Sequence, residues 1–346
     1  MTAHPHNSDF AALAADNLAA GYRKGNKTQV ILHGLSFSLP AGQLVSLLGE
    51  NGIGKSTLLR TVSGIQPPLE GEVTAEGKPL SRLTVAERAK LIAIVTTERT
   101  NAGALTVEEV VALGRQPHTG FLGRLSDTDR NAVSHALRAV GISHKSKCFM
   151  AELSDGERQK TMIAKAIAQE TPVILLDEPT AFLDLPSRTD IIRLLHHIAR
   201  TEGKVVLQSS HDLRLSIGMS DKLWLLLPDR TLCQGTPEDL ALNGTLDKLF
   251  NDRGLRFDLD SGEFIPTETD YKQITIDGAT PQLIQWCEHA LLRNGYAPSS
   301  QPSPQTPFVH IDTPNNITLA TPEGATFRLS SIEAMLNTLN SADHIQ

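Results

Sequence analysis

The chain has 346 residues, 40% hydrophobic and 21% charged, which is room for one large or two ordinary globular domains. A formal net charge of −7 gives no general attraction to nucleic acid or anionic lipid, so neither is expected as a partner. No run approaches the roughly 20 apolar residues that span a bilayer, and Cys148, Cys233 and Cys287 are too few and too scattered for a disulfide framework or metal cluster, which suits a reducing, cytoplasmic setting.

In chain order, residues 1–11 read as a tail. Met1–Ala15 has no basic cluster before a long apolar core, so no signal peptide is expected. Strand patterns dominate to about residue 85. Gln43–Leu48 predicts a short buried strand, and Thr57–Val62 opens a helical pattern. Between them Gly49–Ser56 reads G-E-N-G-I-G-K-S, a complete G-x-x-x-x-G-K-[ST] phosphate-binding loop. Successive N–H groups from Gly49, Glu50, Asn51, Gly52, Ile53 and Gly54, and then from the helix start at Lys55, Ser56 and Thr57, converge on phosphate oxygens in such a loop. Lys55 is placed to reach the β- and γ-phosphates and the Ser56 hydroxyl to bind Mg²⁺.

Val73–Ala75 predicts a short strand after the Pro67-Pro68 turn. Over 105–140 the spacing predicts helices, with Leu105, Val107, Val110, Val111 and Leu113, then Val133, Leu137 and Val140, at helical intervals. Val173–Leu176 predicts a buried strand that delivers Asp177 and Glu178 at its C-terminal end. Asp177 would bind Mg²⁺ through a water, and Glu178 would orient or deprotonate the attacking water. An amphipathic helix follows at 187–199, then a strand at Val205–Gln208. Alternation of strand and helix to about residue 235 argues a mainly parallel sheet.

Residues 256–270, rich in acidic and small side chains around Asp260–Asp270, read as a linker. A second unit spans 271–346: a strand at Lys272–Ile276, a helix from Pro281 to about Asn294, a proline-rich loop at Gln301–Pro307, strands at Phe308–Ile311, Ile317–Ala320 and Thr326–Leu329, and a last helix at Ser330–Leu339. His289 and His310 are too isolated to be read as ligands.

Leu153-Ser154-Asp155-Gly156-Glu157 stands about twenty residues before the acidic strand and resembles the L-S-G-G-Q signature of the ATP-binding cassette (ABC) family. Ala181-Phe182-Leu183-Asp184 resembles its D-loop and His211 its switch histidine, while Tyr22 lies where the family places the aromatic that stacks on adenine. The resemblance covers residues 12 to about 250. It implies an α/β P-loop NTPase of the ABC type over 12–255, with a helical subdomain at about 98–160, followed by a small C-terminal α+β domain. It implies ATP and Mg²⁺ as cofactors, Glu178 and His211 as catalytic groups, and Ser56 and Asp177 at the metal. Because the signature opens a helix, Ser154 and the backbone near Gly156 form an anion site. In this family that site faces the ATP held by another subunit, which implies a head-to-tail dimer with itself or with a similar ATPase.

Leu113–Ser126, running L-G-R-Q-P-H-T-G-F-L-G-R-L-S, resembles the corresponding stretch in ATPases of iron-siderophore, haem and vitamin B12 importers. That implies polytopic permease subunits as partners, a substrate-binding protein indirectly, and peripheral attachment to the cytoplasmic membrane. The family's Q-loop Gln is replaced by Thr97, with Glu98 beside it, so either could take its place. The competing reading is a soluble ABC ATPase acting without a permease, although neither a second cassette nor a long coiled coil is present. The C-terminal unit could be regulatory or could stabilise a dimer.

Overall fold

The apolar runs of the ATPase region pair into one six-stranded sheet. The computed structural model describes residues 11–25, 27–96, 103–120, 123–267, 271–301 and 303–343. In spatial order the strands are Leu232–Gly235, Lys222–Leu226, Leu44–Gly49, Val205–Ser209, Val173–Leu176 and Ile92–Val95. All pair in parallel except the first, which is antiparallel. Val173–Leu176 and Val205–Ser209 are buried throughout, and Leu44–Gly49 is buried up to Leu48. Covering on both faces is why these segments read as largely apolar runs, interrupted by the buried Ser46, Gln208 and Ser209.

A four-stranded antiparallel sheet, ordered Lys27–Leu39, Leu13–Lys24, Glu70–Ala75 and Lys78–Pro79, carries Tyr22 on its second strand. Its Leu13, Leu18, Leu32 and Phe37 pack with Leu47, Leu58, Leu59 and Trp224. Each such side chain, fully buried, contributes about 2 kcal/mol. Three helices, Val107–Ala112, Asp127–Ala139 and Asp155–Ala168, the last running past residue 160, share a core through Val107, Val111, Val133, Leu137, Ile163 and Ile167. Each opens on a reciprocal capping box, Thr106 with Glu109, Ser126 with Asp129 and Ser154 with Glu157. Hydroxyl-x-x-acid at the start satisfies two orphan backbone donors at once. The helix expected at 187–199 runs Leu185–Glu202, from an Asp184 cap and Pro186 to a left-handed Gly203.

Contacts divide the chain into Met1–Ile265 and Pro266–Gln346. The linker expected at 256–270 is therefore corrected over its first part. Leu255–Asp258 and Glu263–Pro266 form a two-stranded ribbon. Its Phe257 and Phe264 join a core of Leu48, Leu223, Leu225, Leu240, Leu246 and Leu249. Two aromatics among acidic residues outweigh the polar average, because each buries a large apolar face.

The second unit has a five-stranded sheet, ordered Tyr296–Ser299, Lys272–Gly278, Phe308–Thr313, Asn316–Ala320 and Thr326–Leu329. The first three are mutually parallel and the rest antiparallel. Helices Pro281–Arg293 and Ile332–Asp343 contribute Cys287, Leu291, Met335 and Leu339 to its core. The strand Tyr296–Ser299 was not expected from the sequence. It contains Pro298, which is tolerated because the strand lies at the sheet edge. Burial pushes the Cys287 thiol up to about 11, so it is a packing group. His310 faces Asp277, and His289 stacks edge-on to Trp286. Among the described residues, no helix is long and apolar enough to cross a membrane.

Candidate active site

Three adjacent strands of the parallel sheet, Leu44–Gly49, Val205–Ser209 and Val173–Leu176, end side by side. The loops leaving their carboxyl ends carry Gly49–Ser56, Ser210–His211 and Asp177–Glu178. The crevice outside the carboxyl ends is where open α/β sheets bind ligands.

The phosphate-binding loop turns through Gly52 (φ 78°) and Gly54 (φ 121°) into the helix Lys55–Val62. A Cβ on Gly54 would stand 2.8 Å from Ile31 Cγ2, so only glycine fits there. The helix thus begins two residues before the expected Thr57. Lys55 is buried and its Nζ donates to the carbonyls of Gly49 at 2.8 Å and Glu50 at 3.1 Å. Burial lowers its pKa, opposed by the charges of Glu178 and Asp177. A cation held among carbonyls beside two acids is poised for phosphate oxygens. The Ile53 N–H donates to the Glu50 carbonyl at 3.4 Å, and the Ile53 side chain packs against the core.

The carboxylates sit on a network of hydroxyls. Ser56 Oγ donates to Asp177 Oδ1 at 3.2 Å, and Ser209 Oγ donates to the same oxygen at 2.7 Å. The Glu178 N–H donates to Ser209 Oγ at 2.9 Å. Glu178 adopts φ 50°, a conformation costing a non-glycine residue about 1–3 kcal/mol. Its Oε1 lies 2.6 Å from His211 Nε2, which bonds it as the Nε2–H tautomer or as imidazolium. Glu178 and His211 line one 430 Å³ cleft with Thr180, Arg188 and Ser210. Ser209 was missed by sequence reasoning, yet a hydroxyl ending a buried strand must find a partner. The oxygen set of Ser56 and Asp177 fits Mg²⁺, a hard ion that keeps waters and substrate phosphates and needs few protein ligands.

Tyr22 lies beside the same helix, its hydroxyl 2.9 Å from Thr57 Oγ1, and the residue is 43% exposed. The Glu50 side chain bonds Arg253. Ser154 and Gly156 stand apart: among the described residues no hydrogen bond links them to the group around Lys55. Ser154 caps its own helix, and Gly156 lies nearest Ser187. Asp184 caps the helix that follows it, and that hydrogen bonding to Ser187 holds its carboxyl below the usual range. Phe182, at φ 65°, is 80% exposed. The expected replacements for the Q-loop Gln, Thr97 and Glu98, lie outside the described residues.

Within the segment that resembles importer ATPases, Gly114-Arg115 is a packing lock. A Cβ on Gly114 would lie 2.2 Å from the Lys165 carbonyl. Arg115, 3% exposed, bonds Asp129 at 2.9 Å and both the Ala168 carbonyl and Glu170 at 2.6 Å. It thereby ties the C-terminal end of the signature helix to the helix Asp127–Ala139. Phe121 and Leu122 in this segment lie outside the described residues.

The ABC transporter family profile matches residues 32–181, and the iron ABC transporter C-terminal domain profile matches 271–340. The ferric enterobactin transport ATP-binding protein of Escherichia coli is 34% identical over 246 residues, 71% of this chain and 88% of that protein. The iron(3+)-hydroxamate import ATP-binding protein of Bacillus subtilis is 35% identical, covering 69% and 87%. A metal-chelate type ABC transporter solved in an inward-facing conformation superposes with TM-score 0.62 at 28% identity, over 75% of this chain and 98% of that one. A dimeric ATP-binding cassette in a post-hydrolysis state with ADP and phosphate superposes with TM-score 0.56 at 25% identity, over 65% and 98%.

Proposed function

The chain belongs to the ABC transporter family of ATP-binding proteins, and on that premise we propose that it powers import of an iron-siderophore, haem or cobalamin-type cargo. It is an ATPase of the cassette type; the proposal concerns which residues act and what the hydrolysis drives. The cargo class is supported by the transport names of its relatives and by the match of residues 271–340 to an iron-transporter C-terminal domain.

The observation that carries the site is the convergence of Lys55, the Ser56–Asp177 pair and the Glu178–His211 pair at adjacent strand ends. In this reading Gly49–Thr57 cradles the phosphates and Tyr22 faces the adenine. Bound Mg²⁺, held through Ser56 and Asp177, would neutralise phosphate charge. Glu178 accepts a proton from the attacking water, and His211 fixes the Glu178 carboxylate and approaches the γ-phosphate. Phosphoryl transfer needs chiefly such positioning and charge stabilisation.

Ser154 and Gly156 lie outside that group within one chain, so a second copy, head to tail, would supply them. The exposed Phe182 and the exposed helix start at Ser154 suit that contact. Polytopic permease subunits would anchor the pair at the cytoplasmic face of the membrane, with a substrate-binding protein delivering cargo to them. The test is affinity capture of membrane partners followed by uptake of ferric siderophores, haem and cobalamin in cells with and without the gene. Unchanged uptake of all three on deletion would overturn the importer reading.

A further inference from the structure

The turn Asn251–Arg253 and the ribbon Leu255–Asp258/Glu263–Pro266 carry none of the ATPase motifs, yet they touch the site from two sides. Arg253 Nε donates to Glu50 Oε1 at 2.9 Å. Glu50 is the second residue of the phosphate-binding loop, and its own carbonyl accepts Lys55 Nζ at 3.1 Å and the Ile53 N–H at 3.4 Å. A pull on Glu50 is therefore felt by the lysine and by the turn of the loop.

Arg253 is mounted firmly. Its N–H donates to the Phe250 carbonyl at 2.8 Å, and Gly254 turns the chain in the left-handed region at φ 65°. Phe264 then stacks edge-on against Phe250 at 5.0 Å and Phe257 at 5.2 Å. These rings share a core with Leu48, the residue before the loop, and with Leu213 and Ile217 of the helix behind His211. On that side Arg214 Nη1 lies 3.2 Å from Glu263 Oε1. The ribbon thus bridges the phosphate-binding loop and the helix that follows the switch histidine.

We infer that Arg253 is a positioning residue for the nucleotide, fixing the Glu50 side chain and neutralising its charge at a loop built to receive phosphates. Without the guanidinium, a free carboxylate stands in that loop and opposes the anionic triphosphate. Because both partners are partly exposed, at 68% and 25%, the effect is modest and sensitive to salt. The inference rests on reading Gly49–Ser56 as the ATP site.

The test is titration of the full-length chain with Mg-ATP in a Glu178→Gln background, alongside steady-state turnover in the parent. Arg253→Ala should weaken ATP binding about two- to fivefold at low ionic strength and raise KM while kcat changes little. The loss should shrink as salt is added, and Arg253→Lys should recover most of it. In a Glu50→Gln background Arg253→Ala should have no further effect, a result that general loosening would not give. Unchanged affinity in Arg253→Ala, or an equal loss with Glu50→Gln present, would overturn the inference. Lys55→Ala separates the two levels. If it binds ATP normally, the loop assignment itself fails; if it loses ATP while Arg253→Ala does not, only the role of Arg253 fails.

Discussion

Arg115→Ala removes a buried guanidinium that holds two helices together. Breaking a buried ion pair costs about 3–5 kcal/mol, because the partner charge is left without compensation. Here Asp129 keeps two donors, the Ser126 hydroxyl at 2.6 Å and the Ser126 N–H at 2.9 Å. Glu170 is 55% exposed and simply returns to water. The Ala168 carbonyl loses its guanidinium donor. The lower end of the range applies, about 3 kcal/mol, or a fall of about 6–12 °C in melting temperature for a unit of this size. Urea unfolding followed by tryptophan emission isolates the effect, since Trp224 is fully buried in the first unit and Trp286 is 68% exposed in the second. The pH dependence carries a sign. Ser126 and then Arg115 hold the Asp129 carboxyl at about 2, below its ordinary 3.8. A depressed carboxyl pKa contributes stability that is fully present above the unfolded value and lost as pH falls towards the folded one. The gap between parent and variant should therefore be full at pH 7 and narrow between pH 4 and 2. A loss under about 1 kcal/mol at pH 7 would refute the lock, since a pair that cheap behaves as a surface pair.

Glu178→Gln keeps the shape but removes the base, so ATP should still bind while turnover falls about 10²–10⁴-fold; full turnover in the purified variant would sink the assignment. Lys55→Ala should weaken binding itself, which calorimetry reads directly. With ATP the Glu178→Gln chain should elute as a dimer in size exclusion, while the parent with ADP should elute smaller; monomers under both conditions, in the full chain and in residues 1–266, would count against a shared site. A chain ending after Pro266 should fold and bind ATP, whereas one ending after Gly254 loses Phe257 and Phe264 from a shared core and should be destabilised by several kcal/mol, on the order of two large-to-small core substitutions; equal stability of the two by urea unfolding would mean that the ribbon does not belong to the first unit.

What the sequence determined by itself is the chemistry and the order of the elements. Phosphate binding demands glycines, a lysine and a hydroxyl at close spacing, so Gly49–Ser56 is legible as a string. Asp177 and Glu178 are legible because a buried strand must end where its acids begin. The capping boxes at Thr106, Ser126 and Ser154 join residues only three apart, a local pattern that sequence reasoning did not single out. Tertiary structure alone decided what depends on distant partners. Ser209 meets Asp177, and Arg253 meets Glu50 across 203 positions of chain, a pairing no local pattern encodes. The first part of the expected 256–270 linker becomes a packed ribbon only because Phe257 and Phe264 find Leu48, Leu223 and Leu249. The strand Tyr296–Ser299 is hidden by Pro298 until the sheet places it at an edge. Local rules settle capping and loop chemistry, because their energies arise within a few residues; burial and ion pairing arise between residues that the chain separates and only the fold brings together.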